Sequence, residues 1–213
     1  MTSHKTALIK DIYKSRKNLI SYLKKQNYNV ENYENFTFSE LNAMKQNSNN
    51  DINELSFELY DDKDEKKCNI IYYLKPSIKQ SILEDYVREY YEENDKNTSI
   101  LIIITLSSIN ETIQKTIRQL WEKFNEYVVV FDIPNLLINV LEHMYVPEHI
   151  KLSDEQKKKV YLQYNILNDK QVPEISAFDP VAKCILLKPG ELCKINRYNK
   201  ISFNCEYYRI CVI

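Results

Sequence analysis

The segment HMYVPEHIKLSDEQ, residues 143–156, holds two of the three histidines of this chain, so it is the first candidate for a metal or catalytic site. His143 and His149 are separated by Pro147, which prevents them from sharing one face of a helix. No cysteine or carboxylate stands at the spacing that would complete a four-ligand zinc site. We therefore expect no metal and no other cofactor, and we interpret the segment as a structural junction that leads into a capped helix at Ser153.

The composition excludes several classes of function. The chain carries 29 basic and 30 acidic residues, so any contact with nucleic acid has to come from a local patch. Gly190 is the only glycine, which excludes a glycine-rich phosphate loop and leaves positions of positive φ mostly to asparagine. The longest apolar run, residues 100–106, is too short to cross a membrane. The five cysteines form no CxxC pair and no signal-peptide pattern opens the sequence, so we expect mostly buried thiols in a reducing compartment.

The strongest enzymatic hypothesis is a metal-dependent nuclease, because enzymes of that class place carboxylates and a lysine on a sheet flanked by helices. A charged turn between two predicted strands supplies the candidates Asp61, Asp62, Asp64, Glu65 and Lys66. Charged runs in turns are usually only solvated, and the following strand CNIIYYL brings no carboxylate to hold Mg²⁺. Nuclease activity is therefore kept as the alternative to a purely binding function.

The opening segment, ALIKDIYKSRKNLISYLKKQNY, has the period of an amphipathic helix. Its apolar side chains fall on one face, and its lysines together with Arg16 are expected on a basic outer face. Such a face can contact phosphate, although a solvated surface is the commoner explanation.

The remaining elements predict two domains. A strand hairpin, a helix, the buried strand at 100–106, a helix from 110 to 124 and another strand follow one another up to residue 141. This alternation predicts an α/β domain, residues 1–141, with a helix-flanked, partly parallel mixed sheet. From residue 142 to residue 213, helix starts at Ser153 and Asp179 and alternating strands predict a small α+β domain with short helices and antiparallel strands.

The second domain contains, in order, H-x-x-V-P-x-H, Q-x-P-x-I, D-P-V-A, G-x-x-x-K-I-x-R and Y-R-I-C. In these motifs and their spacing it resembles the assembly domain of the shared subunit 5 of eukaryotic RNA polymerases, a family that also has archaeal members. A weaker resemblance extends through IYKSRKNLISYLKKQNY and NLLINVLEH in the first domain. Archaeal members lack that domain, so the resemblance implies the eukaryotic or viral type. Together with the bias toward Asn, Lys, Ile and Tyr, it suggests a large DNA virus or an AT-rich protist as the source.

The resemblance implies a non-catalytic subunit of a multisubunit DNA-directed RNA polymerase that acts in transcription. The C-terminal domain would anchor on the largest subunit, among other polymerase subunits. The N-terminal domain would form part of the lower jaw near downstream double-stranded DNA. No membrane contact is implied, and the location would be the nucleus for a cellular protein, or the virion or the viral factory in the host cytoplasm for a viral one.

The motif positions expected to bind the partner are His143, Pro147, His149, Pro173, Asp179, Pro180, Gly190, Arg197 and Arg209. Local chemistry gives most of them structural roles: Asp179 caps a helix, Pro180 begins it, and Gly190 makes a turn. Only the two arginines are expected to make charge-assisted contacts with a partner.

Two stretches depart from the family pattern. The loop after Arg197, usually of the type Pro-Ser-Glu-Thr, reads YNKISFNCE, and a Thr-Pro-Ser-Ala turn at the DNA-facing edge of the jaw is replaced by SSINET. Glu111 in that replacement would repel phosphate. The residues expected to face DNA are Ser108, Asn110, Lys115 and Arg118.

Overall fold

The computed structural model describes residues 2–41, 55–61, 65–200 and 203–213. Two of the nuclease candidates, Asp62 and Asp64, lie outside these ranges. The chain divides into two compact units, Met1–Ile138 and Asn139–Ile213, whereas the sequence places the domain boundary after residue 141. No helix among the described residues is long and apolar enough to span a membrane.

The first unit is built around a four-stranded sheet. Its helices α1 to α5 span Thr2–Lys25, Glu31–Glu34, Gln80–Glu93, Glu111–Phe124 and Ile133–Leu136, and its strands β1 to β4 span Phe57–Tyr60, Lys67–Tyr73, Ser99–Thr105 and Val128–Asp132. The strand order is β1-β2-β3-β4, with β1 antiparallel to β2 and with β2, β3 and β4 parallel. Helices α3 and α4 occupy the connections between the parallel strands, as a parallel pair requires. The predicted α/β unit with a mixed sheet is confirmed.

The core of this unit lies on both sides of β3. All seven residues of SILIIIT are buried, as expected for a strand covered on both faces. Helix α3 buries Leu83 and Val87, and helix α4 buries Ile113 and Ile117. The sequence allows two starts for α4, a capping box of Ser108 with Glu111 or Asn110 alone as the cap. The structure has the second: Asn110 is the N-cap, and its side-chain oxygen accepts from the Ile113 amide at 3.0 Å.

Helix α1 follows the predicted apolar face, with one correction. Ile12, Leu19 and Leu23 are at most 1% exposed, as the period of the sequence indicates. Arg16, however, was predicted on the basic outer face and is only 6% exposed, so that prediction is wrong. Its position, one turn after Ile12 and three residues before Leu19, puts it within the apolar face, because side chains three and four residues apart lie on the same side of a helix.

The second unit also contains a four-stranded sheet, with helices on each face. Strands β5 to β8 span Glu148–Lys151, Glu174–Ser176, Leu192–Asn199 and Phe203–Val212, helices α6 and α7 span Asp154–Gln163 and Pro180–Cys184, and 3₁₀ turns lie at Val140–Glu142 and Asp169–Gln171. The strand order is β5-β7-β8-β6. Strands β5, β7 and β8 are antiparallel, as predicted, but β6 pairs with β8 in parallel. The α+β class therefore holds, although the sheet is mixed.

Candidate partner-binding surface

The two faces of the second sheet are packed against different layers. Side chains alternate between the faces along each strand, so Cys193, Ile195 and Cys211 share one face with Ile175. This face packs against Ala182 of helix α7 and against Ile185, which directly follows that helix. The opposite face carries Leu192 and Ile210, which pack against Val160 of helix α6 and Val172. Both clusters lie at one end of the long β7–β8 hairpin, which leaves its other end less covered.

The D-P-V-A motif begins helix α7. The Asp179 carboxylate accepts from the Val181 amide at 2.8 Å and from the Ala182 amide at 3.4 Å, and Pro180 occupies the first helical turn. A proline costs little there because its missing N–H would have had no partner in the helix. These two motif residues therefore position the core contact of Ala182, as their sequence pattern predicts.

Gly190 and Pro173 also have structural roles. Gly190 has a φ of +87°, and a Cβ built on it would meet no atom within 4 Å, so backbone conformation rather than space requires the glycine. Its amide donates to the carbonyl of Cys211 at 2.9 Å, which fixes the turn into β7 against β8. The carbonyl of Pro173 accepts from the Ile210 amide at 2.9 Å, just before β6 begins.

The two histidines do not form a common site. His149 lies on β5 opposite Ile195, and its Nδ1 donates to the carbonyl of Pro147 at 2.7 Å, so Nδ1 carries the proton. His143 is exposed, and its Nδ1 accepts from the Tyr145 amide at 3.4 Å. Each imidazole ring thus forms a hydrogen bond with a backbone group two residues away in the chain.

Arg197 and Arg209 are brought together by a residue that the sequence argument missed. On the α7 side of the sheet, the Arg197 guanidinium carbon lies 4.6 Å from the ring centre of Tyr207, and that of Arg209 lies 5.5 Å from it. Nη1 of Arg209 also donates to the carbonyl of Glu174 at 2.9 Å. We call Arg197, Tyr207 and Arg209 the arginine–tyrosine ladder. The signal in the sequence was the i, i+2 spacing of Tyr207 and Arg209 on a strand, which puts both on one face.

The arginine–tyrosine ladder is suited to bind carboxylates. Arg197 is exposed, and Tyr207 and Arg209 are half-buried. Cation–π contact with Tyr207 positions both guanidinium groups, and their N–H groups other than the one that Arg209 donates to Glu174 can bind a planar anion. Beneath the ladder, burial raises the pKa of the Cys193 thiol to about 11 and that of Cys211 to about 12, so both thiols are neutral packing groups.

The predicted DNA-facing residues lie just before helix α4 and within it. Ser108, Asn110, Lys115 and Arg118 are all exposed. The amide oxygen of Asn110 is used by the cap described above, so Asn110 has a structural role as well. Lys115 and Arg118 are three residues apart and lie on the same exposed side of the helix.

The described nuclease candidates belong to the hairpin turn. The Asp61 carboxylate accepts from the amides of Glu65 and Lys66 at 2.7 and 3.0 Å, which closes the turn between β1 and β2. Among the described residues, no three His, Cys, Asp or Glu side chains are grouped to hold a metal ion. The hypothesis of a metal-dependent nuclease therefore has no support from this part of the chain.

Comparison with protein families finds one match, over the second unit. The family of the RNA polymerase Rpb5 C-terminal domain matches residues 138–211. The matched residues include every motif position named above, from His143 to Arg209.

Individual relatives are polymerase subunits of eukaryotes and archaea. The chain is 39% identical over 74 residues to the DNA-directed RNA polymerase subunit Rpo5 of Pyrococcus abyssi, which covers 35% of this chain and 89% of that protein. It is 30% identical over 114 residues to subunit 5B of DNA-directed RNA polymerases IV and V of Arabidopsis thaliana, covering 54% of this chain and 50% of that protein. It is 28% identical over 118 residues to subunit rpabc1 of RNA polymerases I, II and III of Dictyostelium discoideum, covering 55% and 59%. The matched region thus spans about half of the eukaryotic relatives.

Proposed function

Because this chain belongs to the family of subunit 5 of DNA-directed RNA polymerases, we propose that it is a non-catalytic subunit of a multisubunit DNA-directed RNA polymerase. The observation that carries the proposal is the match over residues 138–211, which coincides with the compact unit Asn139–Ile213. The chain contributes surfaces rather than chemistry, and transcription is carried out by the assembled complex.

The second unit serves as the assembly domain and binds the largest subunit. Support comes from the arginine–tyrosine ladder, in which both guanidinium groups lie against the ring of Tyr207. Guanidinium groups held in this way lose less side-chain entropy when they bind a carboxylate. The complementary surface on the largest subunit is therefore expected to be acidic. Of the other motif residues, Asp179, Pro180 and Gly190 act by holding the backbone beneath this surface.

Affinity purification of the tagged full-length chain from its native cell or virion tests this role. We expect the large polymerase subunits to be recovered with the wild-type chain. Replacing both Arg197→Ala and Arg209→Ala should weaken the association on the order of 30-fold, or about 2 kcal/mol, which is typical when anchoring arginines are removed from an interface.

The matched control is the double change Lys158→Ala with Lys159→Ala, two exposed cations on helix α6 at the opposite face of the sheet. It should leave the association unchanged. Arg197→Lys with Arg209→Lys keeps the charge but not the planar fork, so it should restore only part of the affinity. Failure of the wild-type chain to recover any polymerase subunit would overturn the proposed function.

The first unit serves as a jaw domain near downstream double-stranded DNA. Lys115 and Arg118 supply the positive charge, because both are exposed on one side of helix α4. They are close enough to contact neighbouring phosphates, whereas Glu111 at the start of the same helix opposes such a contact.

Salt dependence of downstream DNA binding by the assembled polymerase tests the jaw assignment. Lys115→Ala with Arg118→Ala should reduce the slope of log K against log salt by about 2, since each contacted phosphate contributes about 0.9. Lys123→Ala in the last turn of the same helix is the control and should leave the slope unchanged. An unchanged slope in the double variant would remove DNA contact from helix α4.

The expected location follows the polymerase: the nucleus for a cellular enzyme, and the virion or viral factory for a viral one.

A further inference from the structure

Strand β8 is longer than the strand that covers its outer edge. It spans Phe203–Val212, whereas β6 pairs only with residues 210 to 212. On the other side, β7 pairs with β8 along its length, from Leu192 opposite Ile210 to Asn199 opposite Phe203. The outer edge of residues 203–209 is therefore not covered by a strand of the sheet.

The direction of the backbone groups along this edge follows from the pairing with β6. The Ile210 amide donates to Pro173 at 2.9 Å, and the Val212 carbonyl accepts from Ala177 at 2.7 Å, so even-numbered positions of β8 face outward. By the period of a strand, Asn204, Glu206 and Tyr208 direct their N–H and C=O groups to the same side. Within the described part of the chain, none of these three has a backbone hydrogen bond there.

Pro173 ends the ladder between β6 and β8. In a parallel ladder, each β8 residue that faces β6 has one partner on β6. Its carbonyl accepts a hydrogen bond from the amide of the residue that follows this partner. With Glu174 opposite Ile210, the carbonyl of Tyr208 would need the N–H of residue 173. Proline has no N–H, so β6 cannot extend its ladder to the carbonyl of Tyr208, and no other strand among the described residues covers this edge.

We propose that the open edge formed by Asn204, Glu206 and Tyr208 pairs with an extended segment of the polymerase subunit that the second unit binds. The inference rests on the proposed function and specifies how the partner is held: its backbone adds a strand to the sheet, in line with β6. Unpaired edges recruit extended chains because each added residue satisfies exposed backbone donors and acceptors.

The two faces of the sheet determine which side chains the added segment carries. On one face it passes beside Tyr207 and Arg209 of the arginine–tyrosine ladder, so its residues on that side are acidic. On the other face lies a polar hollow of about 370 Å³, lined by Glu148, Lys194, Asn196, Asn204, Cys205 and Glu206. The residues on that side are polar, since Lys194 and Glu206 already form an ion pair there. The partner segment therefore alternates acidic and polar side chains.

Hydrogen exchange measured on the full-length chain, alone and within the purified polymerase, tests the pairing. We expect the amides of Asn204, Glu206 and Tyr208 to exchange rapidly in the free chain. In the polymerase they should be slowed by about tenfold or more, because a hydrogen bond protects each of them. A polymerase-bound chain whose three amides exchange as fast as in the free chain overturns the inference while the proposed function stands. A wild-type chain that recovers no polymerase overturns both.

A pair of substitutions at one position separates backbone from side chain. Asn204→Pro removes the amide side chain together with an outward N–H that the ladder with β7 does not use, whereas Asn204→Ala removes the amide side chain and keeps the N–H. The proline variant should bind the polymerase about tenfold more weakly than the alanine variant, because only the proline variant loses a backbone hydrogen bond to the added segment. Equal binding by both variants, with circular dichroism as for the wild type, contradicts strand addition. If the proline variant does not fold, the exchange rates of the wild type decide.

Discussion

The guanidinium carbon of Arg16 lies 4.1 Å from the ring centre of Phe57, inside the first unit. Nη1 of Arg16 donates to the carbonyl of Leu55 at 3.0 Å. Three more rings lie within 6 Å of the same carbon: Phe36, Tyr33 and Tyr72. This buried cation is thus stabilised by aromatic faces and one carbonyl, and it connects helix α1 to the first strands of the sheet.

Replacing this arginine should destabilise the first unit. We expect Arg16→Ala to lower the free energy of unfolding by about 3 kcal/mol, since desolvated cation–π contacts contribute about 2 kcal/mol and a hydrogen bond from a charged group about as much, less the desolvation cost of the cation. Urea unfolding followed by circular dichroism measures the change. The neighbouring exposed residue provides the control, because Lys17→Ala should stay within about 0.5 kcal/mol of wild type. Similar losses in the two variants would show that the aromatic contacts stabilise nothing.

Arg16 also shows which features can be predicted from this sequence and which cannot. Caps are predicted correctly because donor and acceptor lie within a few residues: Ser153 and Gln156 exchange the two hydrogen bonds of a capping box, at 2.9 and 3.3 Å. The environment of Arg16 depends on Phe57 and Leu55, about forty positions along the chain, which residue type alone does not reveal. The spacing of Arg16 from the apolar residues of α1 indicated the apolar face. The prediction nevertheless placed Arg16 on the basic face, because its side chain is charged.

The same limit applies to the candidate site. The motif positions indicate where the second unit is held together, but the ladder with Tyr207 depends on the pairing of β7 with β8. The parallel pairing of β6 with β8 joins strands far apart in the sequence, and no local pattern specifies it. The expected use of asparagine at positive φ is confirmed at Asn27, Asn125 and Asn165, because that expectation needs only local conformational energies.

Leu186 departs from that rule and gives a second prediction. It has a φ of +51° and is 4% exposed, and it follows helix α7, where the Leu187 amide donates to the carbonyl of Ala182 at 3.0 Å. This is the helix C-terminus at which glycine is favoured. A left-handed conformation costs a non-glycine residue about 1 to 2 kcal/mol. We therefore expect Leu186→Gly to unfold with a free energy about 1 kcal/mol higher than Leu186→Ala, although both lose the buried side chain.

The adjacent leucine is the control for this comparison. Leu187 is fully buried and is not among the positive-φ residues. There the order should reverse, with Leu187→Gly about 1 kcal/mol less stable than Leu187→Ala. Thermal or urea unfolding of the four variants measures both differences. The same order at both positions would mean that backbone strain at Leu186 does not affect stability.

The cysteines should differ sharply in reactivity. Cys205 is exposed, whereas Cys68, Cys184, Cys193 and Cys211 are buried. Burial raises the pKa of Cys68 far above its ordinary value, and those of Cys193 and Cys211 to about 11 and about 12. Since the thiolate is the nucleophile, these groups stay unreactive at pH 8. Alkylation of the native chain followed by mass spectrometry should modify Cys205 alone, and Cys205→Ser should abolish labelling. Rapid modification of any of the four buried cysteines would contradict its burial in the core.

Asp169 gives a prediction about acid sensitivity. Burial alone would raise the pKa of its carboxyl, but hydrogen bonds from the Tyr161 hydroxyl at 2.7 Å and from Lys157 at 3.3 Å hold the pKa below its usual value. A carboxyl with a depressed pKa in the folded state stabilises the protein above its unfolded pKa, near 3.9, and this contribution disappears as pH falls through the folded pKa. Tyr161→Phe should therefore raise the pKa of Asp169, as measured by carboxyl NMR titration, and reduce the loss of stability below about pH 4. Tyr145→Phe, an exposed tyrosine elsewhere in the same unit, should change neither quantity. A pKa of Asp169 that is the same in wild type and Tyr161→Phe would show that the hydroxyl does not stabilise the carboxylate.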